Sequence, residues 1–71
     1  NKLTYKEKRE LEALETDIAN LEIEKKILEE KMSIGQGSPE DFAEWGKRYN
    51  EINQLLDEKT ERWMELSEKE S

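Results

Sequence analysis

The chain has 71 residues, 32% of them hydrophobic and 44% charged, with no cysteine, no histidine and a formal net charge of −7. So short and polar a chain cannot wrap a globular core of ordinary proportions, and has to align its apolar residues along a seam. Without thiols or imidazoles it has no cysteine nucleophile, no His-based acid–base chemistry, no Cys or His metal site and no disulfide framework.

In chain order, Thr4 and Glu7 form a capping-box pattern that starts a helix near residue 5. Leu11, Leu14, Ile18, Leu21, Leu28 and Met32 then recur in steps of three and four, the a/d seam of a coiled coil, with Lys25 at one seam position. Gly35 and Gly37 end this helix. Ser38 as N-cap, Pro39 at the first helical position and Asp41 three residues after the cap begin the next. The second seam runs Phe42, Trp45, Tyr49, Ile52, Leu56, Lys59, Trp63 and Leu66.

The expectation is a single domain over residues 1–71: a helix at about 5–34, a turn at about 35–38 and a helix at about 39–68. So short a turn forces the helices antiparallel. The predicted fold is all-α, an antiparallel two-helix coiled-coil hairpin, and monomeric because each seam covers the other. Two registers are open: one places Leu14 by Trp63, Leu21 by Leu56, Leu28 by Tyr49 and Met32 by Trp45, and the other is a turn tighter. The heptad spacing of Trp45, Tyr49 and Trp63 reads as core rather than as base-stacking platforms.

The charged residues read as solvated faces, with i,i+4 pairs at Glu22/Lys26, Glu44/Arg48, Glu58/Arg62 and Glu65/Lys69. The seam lysines, Lys25 and Lys59, are expected to cover the seam with their stems and reach neighbouring glutamates. Gly46, inside the second helix, is expected to allow close packing against bulky rings. Ile23 and Ile27 lie off the seam and with Ala19 form a short apolar strip. Basic residues gather at the hairpin base (Lys2, Lys6, Lys8, Arg9, Arg62) and nearer the tip (Lys26, Lys31, Lys47, Arg48). No phosphate-binding glycine loop or nucleophile elbow is present, so this chain carries no catalytic site. Its longest apolar run is too short for a membrane span and no signal segment opens it, giving a cytoplasmic expectation.

Three blocks carry a family resemblance: Lys2-Leu3-Thr4-Tyr5-Lys6-Glu7-Lys8-Arg9-Glu10-Leu11-Glu12-Ala13-Leu14, then Pro39-Glu40-Asp41-Phe42-Ala43-Glu44, then Glu61-Arg62-Trp63-Met64-Glu65-Leu66. Over roughly residues 2 to 68 the chain resembles the C-terminal coiled-coil domain of ABC-F family ATPases, the Uup-like branch in particular. The resemblance implies a parent ATPase with two nucleotide-binding domains upstream, which would hold ATP and Mg, with no cofactor in this fragment. An opening Asn rather than Met fits an excised C-terminal piece. It also implies DNA binding, and its motifs contain Lys2, Lys6, Arg9 and Arg62 as the nucleic-acid-binding candidates; the expected contact is non-specific, with DNA or structured RNA, ribosomal RNA included. The alternative is a protein-interaction or oligomerisation coiled coil that uses the Ile23/Ile27 strip.

Overall fold

The computed structural model describes residues 3–70. They form two helices, α1 (Tyr5–Ile34) and α2 (Pro39–Glu70), folded back on each other into a rod of 53 × 16 × 15 Å. Both helix starts are fixed by reciprocal side-chain bonds to backbone N–H groups that have no helical acceptor. At α1, Thr4 Oγ1 accepts from Glu7 N at 3.1 Å and Glu7 Oε1 accepts from Thr4 N at 3.0 Å. At α2, Ser38 Oγ accepts from Asp41 N and Asp41 Oδ2 accepts from Ser38 N, both at 3.1 Å. Between them, Gly35 closes α1 in the left-handed conformation (φ 77°), where a side chain would be strained.

The seam is organised as two apolar clusters. Leu21, Leu28, Ile52 and Leu56 are buried together toward the tip, with Ile18, Met32, Trp45, Tyr49 and Leu55 packed against them. Leu11, Leu14 and Leu66 are buried toward the base, with Leu3 and Trp63 alongside. Leu14 and Trp63 share a cluster, and the Trp63 indole reaches Glu15, the next residue along α1. These are contacts that the wider of the two registers makes. Between the clusters on α2 stands Lys59, whose ammonium leaves the seam for Asp17 at 3.1 Å, so the interruption is satisfied rather than buried bare. Lys25 takes a different route from the one its neighbours suggest: its ammonium lies 5.7 Å from the Tyr49 ring centroid, a cation–π contact in place of a glutamate.

The glycine expected to make room for a ring is the wrong one. A Cβ on Gly46 would meet nothing within 4 Å, whereas one on Gly37 would stand 2.9 Å from the Trp45 ring. The turn, not α2, is where the chain presses against the indole. Phe42 meets the same ring edge-on with centroids 5.1 Å apart, and the Lys31 ammonium lies 5.9 Å from its centroid, so the tip is closed by edge-on and cation–π contacts around Trp45.

Candidate nucleic-acid interface

Folding sorts the basic residues into two groups. One group is held in ion pairs. Arg48 donates from Nε and Nη2 to Glu24 (2.6 and 2.8 Å), and Arg62 likewise to Glu10 (2.8 and 3.0 Å), each a forked pair bridging α1 to α2. Arg48 adds Glu51 and Arg62 adds Glu65 from within α2, and Lys69 reaches across the base to Glu7. The expected i,i+4 partners Glu44 and Glu58 are not the ones these arginines choose. Glu10, Asp17 and Glu24 are spaced by seven along one flank of α1, directly opposite, and a forked bond across the seam is stronger than a solvated pair along one helix.

The electrostatic consequences follow the same pairs. Bonds from Lys69, Arg62 and Arg48 hold the carboxyls of Glu7, Glu10 and Glu24 below their ordinary value, and those carboxylates in turn push both guanidinium pKa values upward. On the opposite flank the Tyr49 hydroxyl donates to Glu29 at 2.7 Å, and that bond to a carboxylate raises the tyrosine pKa.

The second group is exposed at the base of α1. Lys6 and Lys8 form no ion pair among the described residues. Arg9 donates to the Tyr5 hydroxyl at 3.0 Å and lies 5.8 Å from the centroid of that ring, which is 75% exposed. Of the four nucleic-acid candidates, Lys6 and Arg9 are therefore presented to solvent with their charge uncompensated by a carboxylate bond. Arg62 is bound on two sides by Glu10 and Glu65, and Lys2 lies outside the described residues. Tyr5 and Lys8 join the patch. Tyr5 was legible as an aromatic preceding the first seam residue, hence free of the core. The tip group divides the same way: Lys26 and Lys47 are exposed, Lys31 stacks on Trp45, and Arg48 is paired.

No group of Asp and Glu among the described residues is placed to hold a metal ion, and no described helix is long and apolar enough to cross a membrane. Searches of curated proteins and of solved structures find no match to this chain. A family of domains does match, over residues 2–68, and it is described as the ABC transporter C-terminal domain. With nearly its whole length matched and the expected helical hairpin in place, the chain belongs to the ABC transporter C-terminal domain family, an accessory domain of ABC proteins.

Proposed function

We propose that this hairpin is the non-catalytic C-terminal arm of an ABC-F type, Uup-like ATPase in the cytoplasm, and that its base contacts DNA or structured RNA through phosphates. The observation that carries the reading is the partition of cations. Arg48, Lys59, Arg62 and Lys69 tie the helices together, while Arg9 contacts an exposed Tyr5 and the neighbouring Lys6 and Lys8 are exposed, with no carboxylate bond to any of the three among the described residues. Cations so presented neutralise phosphates without reading sequence, and an exposed ring offers a face on which a base can stack. The mechanism is positional: a rigid rod about 50 Å long carries the contacts, while hydrolysis of ATP with Mg takes place in the domains upstream.

The test is titration of the chain with duplex DNA and with structured RNA at two salt concentrations. Replacing Lys6, Lys8 and Arg9 by Gln should weaken binding uniformly across sequences. It should also flatten the slope of log affinity against log salt by about 0.9 per lost duplex-DNA phosphate contact. Binding unchanged in this triple variant would remove the base as the site. The interaction-module reading is favoured by the solvent exposure of Ile23, Ile27 and Ile34 on α1, and a concentration-dependent doubling of mass without nucleic acid would support it.

A further inference from the structure

The flank opposite the salt bridges is built differently. Along α1 it presents Glu15, Glu22 and Glu29, spaced by seven, and along α2 the small residues Asn53 and Thr60 at the same spacing. A hollow of about 350 Å³ opens there over Ile18, Ala19 and Trp63. A second, of about 480 Å³, shares Thr60 and continues past Glu22, Asp57 and the half-exposed Met64. The two form one groove with an apolar floor and acidic rims. Glu15 accepts from the Trp63 indole at 3.1 Å and Glu29 from the Tyr49 hydroxyl at 2.7 Å. Both donors are neutral, so neither bond brings a cation to these carboxylates, whereas Glu10 and Glu24 across the seam are each paired with an arginine. The cation lining this side, Lys25, is turned onto the Tyr49 ring.

We infer that this groove is a docking site for a basic amphipathic helix, one with an apolar stripe flanked by Lys or Arg rows. The apolar floor takes the stripe, as in helix-in-groove recognition, and the carboxylate rims take the cations. Along α1 the groove runs from Glu15 to Lys25, about 15 Å, the length of a helix of about 10 residues. A second copy of this chain is a poor occupant, because it would bring the same acidic row and a net charge of −7. A nucleic acid is disfavoured on this flank for the same reason.

The experiment is calorimetric titration of the chain at low salt with a synthetic Leu/Lys helix of about 18 residues, leucines on one face. One control peptide has the same composition with scattered leucines, and another replaces lysine by glutamate. The Leu/Lys helix should bind, and Thr60→Arg and Glu22→Lys should each weaken it by about tenfold or more. Glu44→Lys makes the same charge change away from the groove and should alter affinity by less than about twofold. Equal losses in Glu22→Lys and Glu44→Lys would overturn the proposal as general charge attraction. Equally tight binding by the scattered peptide or by the glutamate peptide would overturn it as well, as would no binding of the Leu/Lys helix. Circular dichroism checks the fold; Glu22 is exposed, and the comparison with Glu44→Lys decides even if Thr60→Arg loses helicity.

Discussion

Ile52→Ala tests the packing account most directly. Ile52 is 0% exposed and lies among Leu21, Leu28 and Leu56, so truncation removes three carbons from a closed site. At about 0.8 kcal/mol per buried methylene the transfer loss is about 2.4 kcal/mol, and the cavity left behind brings the total to about 3 kcal/mol, within the ~2–5 range for such truncations. Better helix propensity of alanine returns at most ~0.5 kcal/mol. A 71-residue domain has roughly 4–11 kcal/mol in all, so this single change removes a large share of the stability. The assay is urea unfolding followed by helical circular dichroism, with Ile23→Ala as control. Ile23 is on α1 but 59% exposed, and the same truncation there should change stability by less than about 0.5 kcal/mol. Equal effects at the two positions, or a loss at Ile52 below about 1 kcal/mol, would refute the assignment of the seam. If Ile52→Ala leaves too little folded protein to measure, Ile52→Val should cost ~0.5–1.5 kcal/mol.

Gly37 and Gly46 should respond oppositely to alanine. Gly46→Ala should stabilise by up to about 1 kcal/mol, because the new methyl meets open space in a helix. Gly37→Ala should lower the melting temperature, because the methyl would stand 2.9 Å from Trp45, and unchanged melting would mean that the ring shifts freely. The ion pairs predict a pH dependence. Glu10 is depressed from 4.5 by Arg62, so its contribution is fully present above that value and is lost as pH falls through the lower folded value. The melting-temperature difference between wild type and Glu10→Gln should therefore shrink on acidification from neutral pH, and a constant difference would show that the pair contributes through packing alone. At the alkaline end the sign reverses. Tyr49 is raised above 10.0 by Glu29, so its contribution is present below pH 10 and is lost as pH rises through the folded value. Tyr49→Phe should accordingly lose less stability than wild type over that range.

The hairpin is legible in the order of residues alone. Steps of three and four place Leu11 to Met32 and Phe42 to Leu66 on single faces, and Thr4/Glu7 and Ser38/Asp41 fix where each helix can begin, because these are local bonds within one turn. The family was legible for the same reason, since its motifs are continuous stretches. The choice of partners across the seam emerges only once the two helices are packed. Arg48 and Arg62 have carboxylates four residues before them, yet bond to Glu24 and Glu10, because forked geometry across two helices outweighs a solvated pair on one. That choice occupies Arg62, while Lys6, Lys8 and Arg9 stay exposed at the base of α1. On the other flank Glu15 and Glu29 accept from neutral donors, and at the tip the Trp45 ring stands against Gly37 rather than Gly46. The bonding partners across the seam lie 20 to 52 places away in the chain. Heptad spacing gives the face on which a side chain lies and no account of what stands opposite it.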